Sequence, residues 1–153
     1  MLPMRRKDRE MERTEAERLL AEGVYGVLST ADGNGQPYGI PLNYVYCNSA
    51  IYFHCARTGH KLDNLAANPR VSFCVVGRAR VLPHRFSTDY ESVVAFGEAR
   101  EVEGVEKEQA LVWLLEKYSP DHLDEGRAYL ARQGAATKVI RIHIRHLKGK
   151  ARK

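Results

Sequence analysis

The stretch Ile51–Phe73, IYFHCARTGHKLDNLAANPRVSF, decides how the rest of the chain is read. With Ala50 it opens as a strand, AIYFHCA (50–56), in which Tyr52, His54 and Ala56 share one face and Phe53 and Cys55 the other. His54 and Cys55 therefore point apart and do not form a nucleophile–base pair. A helix follows from the Gly59-His60-Lys61 corner and stops at Asn68-Pro69, because the residue before a proline is pushed out of the helical region. VSFCVV (71–76) then resumes a strand. The corner between strand and helix, Thr58-Gly59-His60-Lys61, has two readings. A helix N-terminus presents unpaired amides and partial positive charge, glycine lets backbone approach a ligand, and Lys61 adds a full charge, a set that suits a phosphate. Alternatively Gly59 only makes the turn and Lys61 is solvated. His54 is likewise either a ligand-facing residue beside that corner or a hydrogen-bonded structural histidine.

Upstream, Thr14 and Glu17 have the spacing of a capping box at the start of a short helix that closes at Gly23. VYGVLST (24–30), PYGIPLNYVYC (37–47) and AIYFHCA then form three successive strands joined by turn-rich ADGNGQ and CNSA, with Pro41 marking an edge or bulge. Downstream, residues 77–89 read as a polar, irregular crossing and SVVAFGEAREV (92–102) as the fifth strand. VEKEQALVWLLEKYSP (105–120) places Leu111, Leu114, Leu115 and Tyr118 at helical spacing, and DHLDEGRAYLARQG predicts a weaker second helix. Trp113 in the first of these helices is expected to pack on the sheet. KVIRIHIRHL (138–147) alternates strictly, Ile140, Ile142 and Ile144 against Arg141, His143 and Arg145. Six strands, mostly neighbours in sequence, with few helices predict a mainly β, antiparallel, closed or partly closed barrel over residues 1–153 as a single domain.

Composition narrows the function. At 153 residues, with 44% hydrophobic and 28% charged side chains, the chain is ordinary for a globular protein. No apolar run approaches the roughly 20 residues that span a bilayer, and MLPMRRKDREMERTEAERLL has no signal-peptide core, so we expect a cytoplasmic protein without a membrane partner. The net charge of +5 resides largely in the terminal runs MRRKDRE and RHLKGKARK, which reads as solvated tails. Base stacking on Tyr38, Tyr44, Tyr46, Tyr52 and Phe53 is the alternative, but aromatics at strand spacing pack in cores, and no nucleic-acid partner is expected. Cys47, Cys55 and Cys74 form no CxxC pair, so neither a redox dithiol nor a metal site is expected. No GxSxG, HExxH, Walker loop or dinucleotide fingerprint is present.

IPLNYVY (40–46), IYFHCARTGHKLDNLAANPRVSF (51–73) and YESVVAFGEAREV (90–102) resemble the flavin-binding split β-barrel proteins, the pyridoxamine phosphate oxidase-like group, and within it the nitroimidazole-resistance branch. The resemblance covers nearly the whole chain. It implies a six-stranded split barrel that forms a homodimer with FMN in the interface groove. The FMN phosphate would lie at Gly59, His60 and Lys61, and the isoalloxazine along Pro41, Leu42, Asn43 and Tyr44. His54, Cys55 and Ala56 would flank the ribityl chain or ring, with His54 as the catalytic candidate. Ser92 and Val93 would complete the pocket, from the partner subunit. The arginine-rich C-terminal substrate motif of true pyridoxamine phosphate oxidases has no counterpart in RIHIRHLKGKARK, so that activity is not expected. What remains is an FMN-dependent oxidoreductase passing electrons from NAD(P)H to a small acceptor such as a nitroaromatic. The alternative is a flavin-binding or flavin-sensing protein without turnover.

Overall fold

The computed structural model describes residues 1–153. One antiparallel sheet is built from β1 (Gly26–Ala31), β2 (Pro37–Leu42), β3 (Val45–Cys47), β4 (Ala50–Cys55), β5 (Arg70–Leu82), β6 (Ser87–Val102) and β7 (Lys138–Arg152). Helices α1 (Arg13–Glu22), α2 (His60–Ala67), α3 (Gly104–Tyr118) and α4 (Leu123–Gln133) decorate it. The strand order is β2-β1-β5-β6-β7-β4-β3.

That order dictates the shape. β2 and β3 occupy opposite margins, yet only Asn43 and Tyr44 separate them in the chain. A flat sheet of seven strands would hold its margins roughly 29 Å apart at about 4.8 Å per step. The link from Leu42 to Val45 spans at most about 10 Å. The sheet must therefore roll until its margins meet, and since no ladder joins β2 to β3 the result is a barrel left open along one seam. The expected architecture is thus present, with seven strands in place of six.

The extra strand has a local cause. The expected run 37–47 breaks at Asn43-Tyr44, whose polar groups bond outside any ladder. Asn43 Nδ2 donates to Val24 O (3.1 Å), and the Tyr44 N–H donates to Tyr118 Oη (3.0 Å). The expected crossing at 77–89 is also revised. β5 runs on to Leu82 and β6 starts at Ser87, so the polar residues form the two arms of a long hairpin, mostly solvent-exposed from Val76 to Val81, with a tight turn at Pro83–Arg85.

Two apolar layers hold the fold. Inside the roll, Leu28, Ile51, Phe53, Phe73, Val75, Val93, Ile140 and Ile142 pack with Leu19 and Leu20 of α1. Outside it, Tyr52, Val102 and Val139 pack with Ala110, Leu111 and Leu114 of α3, and Trp113 lies against Tyr52. α3 thus covers the outer face of β3, β4 and the adjoining ends of β6 and β7. At the start of α1 the capping box does not form: Arg13 already belongs to the helix, and Glu17 pairs with it at 2.9 Å instead. Gly23 ends α1 with an ordinary negative φ; a side chain there would run into the Tyr44 hydroxyl and Val75.

Candidate functional site

The corner after β4 is built from a strand end and a helix start. Gly59 precedes α2 with φ 153° and ψ 171°, a conformation essentially restricted to glycine, although nothing crowds the position a Cβ would occupy. Conformation, not space, requires glycine there. No side chain caps the first turn of α2, so its leading amides stay available. The helix is held in place from below: buried Asn64 donates Nδ2 to Thr30 Oγ1 at 2.9 Å, and Thr30 Oγ1 reaches Tyr38 O at 3.4 Å. The His60 ring stacks on Tyr38, 4.0 Å between centroids and 28° between planes. Gly59 and His60 are exposed and Lys61 is half-buried, so the corner presents an uncapped helix end, one imidazole and one ammonium to solvent.

Cys55 lies just behind, buried against the core. Burial pushes its thiol up, against a smaller opposing pull from Lys61 and Lys138, so it stays protonated and serves packing. Ala56 is exposed at the mouth of the corner.

His54 points the other way, as strand alternation requires. It opens onto a cavity of about 270 Å³ between the sheet and the α3–α4 hairpin. Leu111, Leu114, Leu115 and Leu130 give that cavity its apolar wall, and Asn43, His54 and Tyr118 give it polar groups. His54 keeps open surface, yet the dense surroundings desolvate it enough to lower its imidazole below the ordinary value, so it is neutral at pH 7.

The segment 41–44 forms the seam. Pro41 is exposed on the margin strand β2, and Leu42 packs against the core. Tyr44 is fully buried. Its carbonyl lies 2.9 Å from both Lys117 Nζ and Tyr118 Oη, and its hydroxyl donates to Leu20 O. Tyr118 Oη also lies 2.6 Å from Val24 O. The Lys117 ammonium sits 3.9 Å above the Tyr44 ring, and burial lowers it to about 8. The main-chain groups of Tyr44 are thus already engaged within the chain, while Asn43 faces the His54 cavity.

Among the expected site residues, the structure brings Asn43 and His54 to one cavity and Cys55, Ala56, Gly59, His60 and Lys61 to one corner. Ser92 and Val93 lie elsewhere. Val93 pairs with Gly149 of β7, whereas Cys55 pairs with Lys138, so most of β7 separates them within one chain. Val93 also has its side chain enclosed in the core. Tyr118, Lys117 and Asn64 carry the local geometry without having been singled out for it. The helical stripe 111–118 placed Tyr118 on the packed face, but a stripe does not reveal where a hydroxyl bonds.

A profile of the pyridoxamine 5'-phosphate oxidase family matches residues 12–151, a span that takes in the seam, the corner and all seven strands but for the last residue of β7. The chain belongs to the pyridoxamine 5'-phosphate oxidase family. No curated protein matches this family member in sequence. Solved structures share its fold. One is a conserved hypothetical protein of Mycobacterium tuberculosis, with TM-score 0.82 and 23% identity over 97% of this chain and 90% of that one. A proposed 5-nitroimidazole antibiotic resistance protein of Bacteroides thetaiotaomicron VPI-5482 has TM-score 0.75 and 21% identity, over 93% and 86%. An FAD-binding protein of Mesorhizobium loti has TM-score 0.67 and 24% identity, over 95% and 98%.

Proposed function

We propose that this family member is an FMN-dependent oxidoreductase that passes electrons from NAD(P)H to a small nitroaromatic acceptor. The observation that carries the reading is the corner at 59–61: a glycine-only backbone conformation leading into an uncapped helix start, with His60 and Lys61 beside it. That donor set fits one phosphate, the anion that ends FMN. The likeness to an FAD-binding protein supports a flavin in this fold, and the likeness to a proposed nitroimidazole resistance protein supports the acceptor class. A flavin, when bound, supplies the redox chemistry.

The chain's own residues bind and orient. Gly59, His60 and Lys61 hold the phosphate. Pro41, Leu42 and Asn43 border the ring along the seam, where Lys117 and Tyr118 fix the Tyr44 backbone and prevent it from shifting. His54, with Asn43 and Tyr118, lines the apolar cavity of about 270 Å³ that takes the acceptor. Because its imidazole is lowered by burial, His54 offers a neutral N–H to the acceptor at pH 7 and becomes a proton donor only as pH falls below the ordinary histidine range. Ser92 and Val93 do not reach the corner within one chain, and the Val93 side chain is enclosed in the core, so in the proposed homodimer the partner would contribute Ser92 and not the Val93 side chain; exposed Val24, Tyr25, Val76 and Val81 are apolar surface such a partner would cover. The three free cysteines suit a reducing, cytoplasmic setting.

The test is visible absorption of the purified protein with added FMN, followed by NAD(P)H oxidation with and without a nitroimidazole. Bound flavin and acceptor-dependent oxidation are expected. Bound flavin without acceptor-dependent oxidation replaces the enzyme with a flavin-binding protein, and failure to bind flavin overturns both.

A further inference from the structure

A second concentration of cationic side chains occupies the outer face of β6 and β7, beyond the part that α3 covers. Arg100 stands directly across the ladder from Arg141, and Glu98 across from His143. Like charges directly opposed on a sheet destabilise the pair, so the Arg100–Arg141 juxtaposition calls for a counter-ion. Glu106 supplies part of one: its Oε2 accepts from Arg141 Nη1 at 2.6 Å and from Tyr52 Oη at 2.8 Å. Arg141 Nε remains buried without any partner. A third guanidinium is brought in by a bulge. The register slips between Phe96 and Gly97, which oppose His146 and Ile144, and leaves Arg145 as the unpaired extra residue. Gly97 makes the bulge possible, since any side chain there would run into the His143 carbonyl. Arg145 reaches Glu98 at 3.2 Å.

These residues line a depression of about 520 Å³ in which Arg100, Arg141, Arg145 and His143 face a single carboxylate, Glu98. Nothing in the chemistry of the flavin site uses them. Three guanidinium groups around one concave space match a phosphoryl group better than a carboxylate, because a phosphate brings more negative charge and three acceptor oxygens in place of two, although Arg141 Nη1 and Arg145 Nε already serve Glu106 and Glu98. We infer that this depression binds the phosphate of a small phosphorylated molecule, at a site separate from the phosphate corner at 59–61. The inference stands on the ladder register, the bulge and the excess of cationic over anionic side chains in the lining, and does not depend on the flavin reading.

The probe is inorganic pyrophosphate, titrated calorimetrically into the whole protein at low ionic strength, first alone and then with saturating FMN. Once saturating FMN fills the corner at 59–61, one saturable site per chain is expected, weakened about tenfold in Arg100→Gln and in Arg145→Gln, as loss of a charge-assisted bond predicts. Lys61→Ala leaves pyrophosphate affinity unchanged, and FMN does not displace the probe. Arg100 is exposed and Arg145 bonds only a surface carboxylate, so both variants keep the wild-type melting midpoint to within a few degrees and the affinities compare folded proteins. Absence of saturable heat, wild-type affinity in both arginine variants, or competitive displacement by FMN each overturns the inference; displacement would assign the arginines to the flavin phosphate.

Discussion

The seam and the corner are the two places where this sheet stops pairing, and they are finished in opposite ways. At the seam, Asn43 and Tyr44 leave the ladder, and the Asn43 side chain and the main-chain and hydroxyl groups of Tyr44 are met by Val24, Lys117, Tyr118 and Leu20 from the same chain. At the corner, β4 ends, a glycine-only conformation intervenes, and α2 begins with no cap and two cationic-capable side chains in the open. Backbone polar groups that are satisfied internally serve structure; those left presented together with charge are where the proposed phosphate would bind. The contrast predicts that seam substitutions unfold the protein, whereas corner substitutions leave it folded and cost it flavin.

Tyr44→Ala attacks the seam at its most buried side chain. Removal of a core aromatic costs about 3–5 kcal/mol, so chemical denaturation should show the largest loss of stability of any single change discussed for the seam or corner. Asn64→Ala is next. It leaves buried Thr30 without its donor and frees α2 from β1, at about 1–3 kcal/mol; a melt that matches wild type would show that the helix is held by something other than this bond. Lys61→Ala reverses the pattern. Flavin affinity measured by fluorescence titration should fall about ten- to a hundredfold, as loss of a charge-assisted hydrogen bond implies, while the unfolding midpoint stays put. A loss of stability equal to that of Asn64→Ala would erase the distinction between the two regions. The smallest effect concerns Lys117. Its folded-state value of about 8 lies below the ordinary lysine value of 10.5, so between these the unfolded chain binds the proton that the native chain has released. Native stability therefore rises with pH across that window. The wild-type midpoint should gain on that of Lys117→Met as pH is raised from 8 towards 10; parallel curves would mean that the ammonium is not desolvated.

The corner was the more legible of the two regions. Gly59, His60, Lys61 and the stop at Asn68-Pro69 are adjacent in sequence, and local chemistry suffices to place them. Alternation put His54 and Cys55 on opposite faces, as observed, because a two-residue period needs no knowledge of the partner strands. The seam was not legible. Residues 37–47 read as one strand, since nothing local marks the break at Asn43-Tyr44. It is set by a hydroxyl and an ammonium more than 70 residues away. The same limit explains the arms of the β5–β6 hairpin: Gly77, Arg78 and Arg80 look like loop residues, but pairing with β6 carries β5 through them. The capping box failed for a different reason. The helix starts two residues earlier than the box requires, so Thr14 lies inside it and cannot cap, and Glu17 pairs with Arg13 instead of reaching back.

The position of β7 sets the order in which the molecule can assemble. In the strand order it stands between β6 and β4, so without it the sheet divides into a four-stranded piece and a two-stranded hairpin with no ladder between them. Yet β7 follows all six other strands and all four α-helices in the chain. Until β7 joins, β4 is unpartnered on one side, and closure of the roll depends on contacts far apart in sequence, a topology that folds slowly.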